Sequence, residues 1–227
     1  ISIILKYDLL NTLMTGGRHH SWRKTAVKML KQDNSANISL DIATGTGDFA
    51  LELINKNKKS FVVGVDTSPN MIEIAKEKSN KLKLNNNLNF ALSDAHNLPF
   101  PKDFFSYVTI GFGVRNFIDL ESALKEVNRV LMPNGKLAIL EIVKLNEGSF
   151  LSKIFPIYFG KITPWLGSIF AGDKEAYSYL PQSVENFISS KELTKILNSV
   201  GFKTIKTKNI ALGTVTIHIA EKVNSKE

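Results

Sequence analysis

The residues best placed to do chemistry lie in Thr44-Gly45-Thr46-Gly47-Asp48 and, roughly twenty residues past the glycines, at Asp66. Gly45 and Gly47 lack a Cβ, so the backbone there can approach a bound molecule closely and take up positive φ where a turn needs it. Asp66 follows the apolar run Phe61-Val62-Val63-Gly64-Val65. A carboxylate at that point can accept hydrogen bonds from both hydroxyls of a ribose. A nucleoside-containing cofactor is therefore expected above the carboxyl ends of the strands.

The glycine spacing narrows the nucleoside. A dinucleotide site usually carries G-x-G-x-x-G, with a pyrophosphate on the helix N-terminus. Here the third glycine position is Ala50, and Asp48 puts a carboxylate where the pyrophosphate would sit. Two anions would repel there. A cofactor with a cationic end and no phosphate fits better, and S-adenosylmethionine is such a molecule. Asp48 also suits helix capping and the helix dipole, which does not conflict.

These residues need a strand, a tight turn and a helix in succession. Ile38 to Ala43 reads as a buried parallel strand, Thr44 to Gly47 as the turn, and Asp48 to Asn55 as the helix. The rhythm continues with a strand over Ser60 to Val65. Ser68 then caps a helix with Pro69 at its first position. Further strands are expected over Leu88 to Leu92, Ser106 to Ile110 and Lys136 to Val143. A helix is expected over Leu120 to Leu131, with a turn at Met132-Pro133-Asn134-Gly135. The β-α-β order predicts an α/β fold with a parallel sheet and helices on both faces. A helix over Ser190 to Ser199 and a hairpin from Thr204 to Asn209 and Thr214 to Glu221 complete it.

Two segments stand outside this rhythm. Residues 1–37 form an N-terminal helical region, with Trp22, Val27, Met29 and Leu30 at helical spacing and Trp22 read as core packing. Residues 146–188 form an apolar insertion. Phe150 to Phe170 within it is dense in aromatic and aliphatic residues but is broken by prolines and glycines and carries Lys153 and Lys161. That argues against a membrane span and for a lid or a membrane-surface element with snorkelling lysines. No repeat or linker is visible, so residues 1–227 are expected to be one domain.

Bulk composition bounds the function. The 227 residues hold no cysteine, which excludes disulfides, thiolate metal sites and cysteine nucleophiles. Arg18, His19 and His20 have no acidic or histidine partner at ligand spacing, so no metal site is read. The net charge of +8 and pI of about 9.5 favour an anionic membrane surface or nucleic acid, or serve solubility alone. The lysine clusters lack interleaved aromatic residues, so no base-stacking platform is read and nucleic acid is not an expected partner. The chain opens on Ile1, not methionine, as a trimmed form would, and no signal or transit pattern is read.

With these residues in hand, the chain resembles the ubiquinone/menaquinone biosynthesis C-methyltransferases. The matching pieces include Tyr7-Asp8-Leu9-Leu10-Asn11, Asp41 to Asp48, and Asp94-Ala95 with Leu98-Pro99-Phe100. Others are Gly111-Phe112-Gly113-Val114-Arg115-Asn116, Arg129 to Gly135, and Tyr177-Ser178-Tyr179-Leu180-Pro181-Gln182-Ser183. The resemblance implies a Rossmann-like class I methyltransferase fold, with seven strands and the last antiparallel. It implies S-adenosylmethionine contacts at Thr46, Asp66, Asp94, Ala95 and Gly111, beside the turn residues Gly45 and Gly47. The family often has serine at Gly111, so only a backbone role carries over there.

The implied reaction methylates a ring carbon of a reduced polyprenylated quinone and releases S-adenosylhomocysteine. Such chemistry needs in-line approach, a route for the phenol proton and stabilisation of the phenolate, with no metal. Arg115, Asn116 and Tyr7 are the catalytic candidates. Arg115 has an alternative role as the ion-pair partner of Glu141. The expected location is the cytoplasm, with peripheral contact at the inner face of the membrane, and a homodimer is kept open. The alternatives are S-adenosylmethionine-dependent methylation of another small molecule or of RNA. An RNA amino-methylating enzyme would show a proline-rich turn where Gly111 to Asn116 stands.

Overall fold

The computed structural model describes residues 17–33, 35–144 and 187–223. Tyr7, most of the 146–188 insertion and the Tyr177 to Ser183 motif lie outside the described residues.

Among the described residues, the chain starts with helix α1 (His19–Leu30), strand β1 (Ile38–Ile42), helix α2 (Asp48–Lys56) and strand β2 (Phe61–Asp66). Helix α3 (Pro69–Lys81), strand β3 (Leu88–Leu92), strand β4 (Phe105–Gly111), helix α4 (Leu120–Val130) and strand β5 (Leu131–Ile142) follow. Helix α5 (Ser190–Ser199), strand β6 (Phe202–Ile210) and strand β7 (Val215–Lys222) close the fold.

The strands make one sheet of seven, in the order β3-β2-β1-β4-β5-β7-β6. The first five are parallel, and β7 runs antiparallel between β5 and β6. This is the predicted architecture, with β7 as its antiparallel strand. The order reverses between β1 and β4, and ligands of open α/β sheets bind in the crevice at such a point, beyond the carboxyl ends of the strands.

Burial on both faces explains the apolar runs. One core packs α4 and α5 on the sheet through Leu124, Val127, Leu193 and Leu197. The other packs α1 and α2 through Val27, Leu30, Leu53 and Ile54. Trp22 packs at the edge of the second core, its ring centroid 6.5 Å from that of Phe112, as its core-packing reading predicts. Ser68 caps α3, accepting from Met71 N–H with Pro69 in the first turn. Ser189 and Glu192 form a full capping box on α5.

One turn is absorbed into a strand. Met132-Pro133-Asn134-Gly135 belongs to β5, which pairs Leu131 with Phe105 and then Lys136 with Tyr107. The extra residues bulge from the ladder with Asn134 at φ 61. Asparagine tolerates that left-handed geometry better than most residues, and pairing on both sides of the bulge makes the turn part of the strand.

Candidate functional site

A cleft of about 390 Å³ opens over the carboxyl ends of β1, β2, β3 and β4. Its floor includes Ile42, Ala43 and Gly45, and its walls include Asp66, Asp94 and Gly111. Two non-glycine residues at its edge, Ala43 (φ 52) and Phe112 (φ 57), adopt left-handed backbone at the ends of β1 and β4. Each such residue costs on the order of 1–3 kcal/mol, and such geometry clusters at binding sites.

Gly45 faces this space. It has φ +55, and a Cβ built on it would meet nothing within 4 Å. The floor is therefore open backbone. Asp66 stands beside it, with Oδ2 accepting Gly45 N–H at 2.9 Å and Oδ1 accepting Ser68 N–H at 2.9 Å. Both oxygens are aligned, and each keeps a lone pair for a hydroxyl.

Asp41 braces the loop and is a residue that motif reading passes over. It is 1% exposed. Its Oδ2 accepts from Thr44 Oγ1 at 2.6 Å and Ala50 N–H at 3.1 Å, and its Oδ1 accepts from Thr109 Oγ1 at 2.7 Å. One side chain thus ties β1, β4, the glycine turn and the first turn of α2 together. Burial pushes its carboxyl up to about 6, against those three hydrogen bonds. The signal available in sequence was a lone acidic residue inside an apolar strand.

Asp94 and Ala95 follow β3, with Ala95 buried and Asp94 exposed. Hydrogen bonds from the His96 backbone and then its ring hold the Asp94 carboxyl below its ordinary value. The loop they stand on is pinned from α4. Glu126 accepts Leu98 N–H at 2.8 Å, while Arg129 donates to the carbonyls of Leu98 (3.0 Å) and Phe100 (2.8 Å). Arg129 also bonds Glu126 and holds that carboxyl down. The Leu98-Pro99-Phe100 and Arg129 motifs, far apart in sequence, are one contact.

Gly111 ends β4 on the cleft wall, and a Cβ there would meet Phe49 Cδ1 at 2.7 Å. Any side chain at Gly111 would require the Phe49 ring to shift. Asn116 also lines the cleft. Arg115 is drawn inward instead. Its Nη1 donates to Glu141 Oε1 at 2.6 Å and to the Phe112 carbonyl at 2.7 Å. The Glu141 side chain is fully buried and that of Arg115 is 10% exposed, so the ion-pair alternative is the one the structure contains. The buried Nε of Arg115 has no hydrogen-bond partner among the described residues.

Thr46 and Gly47 stand beside the cleft rather than in its lining. Thr46 is buried, and its Oγ1 receives Lys78 Nζ at 3.4 Å. Asp48 is held by Lys78 at 2.7 Å and faces Arg23 at 3.7 Å. Burial raises the Asp48 carboxyl, and Arg23 and Lys78 outweigh it to leave it lowered. Its charge is thus locally compensated and cannot by itself repel a phosphate, so the case against a dinucleotide rests on the glycine spacing.

The fold also brings Asp48 to His19 and His20, with possible ligand atoms within 4.8 Å of one another. Sequence spacing hid this grouping, because Asp48 lies on another helix. Arg23 Nη1 sits 2.6 Å from His19 Nδ1, and Lys78 holds Asp48. Two fixed cations occupy these donors, which does not fit a divalent ion. Burial and then Arg23 lower His19 to about 4.

The geometry can be set against known proteins. Residues 1–222 match the description "ubiE/COQ5 methyltransferase family". The chain belongs to the ubiE/COQ5 methyltransferase family. A ubiquinone/menaquinone biosynthesis C-methyltransferase UbiE of Rickettsia bellii (strain OSU 85-389) is 42% identical over 223 residues, covering 96% of this chain and 88% of its own. That of Rickettsia prowazekii (strain Madrid E) is 41% identical over 223 residues, with the same coverage of 96% and 88%. The fold of this ubiE/COQ5 member is also that of a SAM-dependent methyltransferase from Aquifex aeolicus. That match has TM-score 0.67 and 19% identity, covering 96% of this chain and 98% of the other.

Proposed function

We propose that the chain is an S-adenosylmethionine-dependent C-methyltransferase acting on the ring of a reduced polyprenyl quinone. The observation that carries the reading is the Gly45–Asp66 pair: an open glycine floor beside a carboxylate whose two oxygens are already aligned. In a member of a methyltransferase family, that pair suits a ribose and excludes a bulky floor. The names of the Rickettsia relatives support the quinone pathway.

When bound, S-adenosylmethionine supplies a sulfonium methyl open to displacement by a carbon nucleophile. The chain's part is to seat, orient and shield. Asp66 holds the ribose, and Asp94 with the Ala95 backbone meets the adenine. Gly45 and the Gly111 backbone bound the amino-acid end, with Thr46 and Gly47 behind them shaping the turn. Asn116 orients a quinol hydroxyl or a water at the end of β4. Arg115, paired with buried Glu141, holds the turn after β4 through the Phe112 carbonyl and brings no uncompensated charge to a phenolate. Tyr7 remains the third catalytic candidate. The titratable side chains of the cleft are already engaged, Asp66 by two backbone N–H groups and Asp94 and His96 by each other, so the phenol proton is assigned to water.

The prenyl chain needs an apolar approach. Ile118 is 98% exposed and lines the cleft, and Leu212, 78% exposed, lies in the turn between β6 and β7 at the end of the sheet where β4 and β5 finish. Those exposed apolar residues and the charge of +8 support peripheral contact with the inner face of a membrane. Among the described residues, no helix is long and apolar enough to cross a membrane. The test is methyl transfer to demethylmenaquinol and to its benzoquinol counterpart, followed by mass. A gain of one methyl on either ring supports the reading, and no gain on both overturns it.

A further inference from the structure

β3 and β4 are not neighbours, since β2 and β1 lie between them. The loops beyond their carboxyl ends nevertheless meet at one side chain, His96. Its Nδ1 lies 2.6 Å from Asp94 Oδ1, and its backbone N–H donates to the same oxygen at 2.9 Å. Its Nε2 lies 3.3 Å from the backbone N of Asp119 and 3.1 Å from that residue's carbonyl oxygen. The Phe117 ring meets it edge-on at a centroid distance of 5.9 Å. Asp94, His96 and Phe117 all line the cleft.

The chemistry of the contacts orders them. A carboxylate only accepts, so Nδ1 carries a proton toward Asp94. Nε2 then takes the Asp119 N–H, or donates to the Asp119 carbonyl when the ring is protonated. The far anchor is firm, because Asp119 Oδ1 caps α4 by accepting Ser122 N–H at 3.0 Å. The near anchor is asymmetric. His96 supplies two donors to Oδ1, while Oδ2 belongs to a side chain that is 58% exposed.

We propose that His96 is a positioning residue for the nucleoside: it locks Asp94 with Oδ2 turned to the adenine amine and ties the loop after β3 to the loop after β4 across the cleft. This rests on the cofactor reading given above. His96 moves no proton in the reaction. Its work is to fix an acceptor and close a wall, which discriminates an amine from a carbonyl on the base.

The test uses the full chain and three variants, His96→Ala, His96→Asn and His96→Gln. Asparagine keeps a donor near the place of Nδ1 but falls short of Asp119, whereas glutamine reaches as far as Nε2. Binding of S-adenosylhomocysteine and of S-inosylhomocysteine, whose base carries a carbonyl in place of the amine, is measured by calorimetry. His96→Ala is expected to weaken S-adenosylhomocysteine about tenfold. It should shrink the preference over the inosyl compound and raise KM for S-adenosylmethionine, with kcat within about twofold. His96→Asn should recover the preference more than the affinity. Equal weakening of both compounds, with the preference intact, overturns the proposal, as does unchanged binding. If His96→Ala does not fold, the preference measured in His96→Asn and His96→Gln decides in the same way. Failure of the unaltered chain to bind S-adenosylhomocysteine overturns the cofactor reading instead.

Discussion

Asp66 and Asp41 are both acids at the carboxyl end of a strand, and they do opposite things. Asp66 is aligned by two backbone N–H groups and left open to the cleft. Asp66→Asn keeps the shape but turns one acceptor into a donor facing a donor. S-adenosylhomocysteine affinity should fall by at least about tenfold, since hydrogen bonds to charged groups are worth about 1.5–3 kcal/mol. Calorimetric binding within about twofold of the unaltered chain would sink the ribose assignment. Asp41 is sealed, and its carboxyl rises from 3.8 to about 6. Between those values the folded form keeps a proton that the unfolded chain has lost. Its contribution to stability therefore falls as pH rises through that window and stays low above it. The change is on the order of 3 kcal/mol. Urea unfolding of the unaltered chain and Asp41→Asn should give a stability difference that drifts against the unaltered chain from about pH 4 to 7. A difference flat with pH would refute this.

At the scale of elements, Gly111 and Phe49 are a matched pair across β4 and α2. Gly111→Ser drives a Cβ to 2.7 Å from the Phe49 ring and should cost about 1–3 kcal/mol of stability. Phe49→Leu in the same chain should recover part of that loss, and thermal unfolding of the single and double variants measures it. Additive losses would show that the ring is not the obstacle. This pair also marks the border of what sequence could tell. The glycine was visible as a departure from the family pattern, but the ring that excludes a side chain was not, because Phe49 lies on another element. The strands were legible because β1, β2, β4 and the second half of β5 are mostly buried and read as predominantly apolar runs with few polar interruptions. Met132 to Gly135 was misread because turn residues signal a turn whether or not the ladder resumes beyond them. The ends of Asp66, Asp94 and Asn116 in one cleft followed from strand order. The clamps by Asp41, Glu126, Arg129 and Glu141 are long-range, and no local spacing announces them.

Over the whole molecule, charge and rim act together. The net +8 and the exposed Ile118 and Leu212 predict salt-sensitive binding to vesicles containing phosphatidylglycerol and little binding to pure phosphatidylcholine. Raising salt from about 50 to 500 mM should release most of the bound chain in a co-sedimentation assay. Equal binding to both lipids at both salts would remove electrostatics from the account.

The position of β7 has a consequence for synthesis on the ribosome. The strand lies between β5 and β6, yet it is made after both. While residues 215–222 are still in the exit tunnel, β5 is a raw edge and β6 has nothing to pair with. The nascent chain must keep two sticky borders apart until its closing strand slides between them. Unpaired edges of this kind make the unfinished chain prone to aggregation until β7 is released.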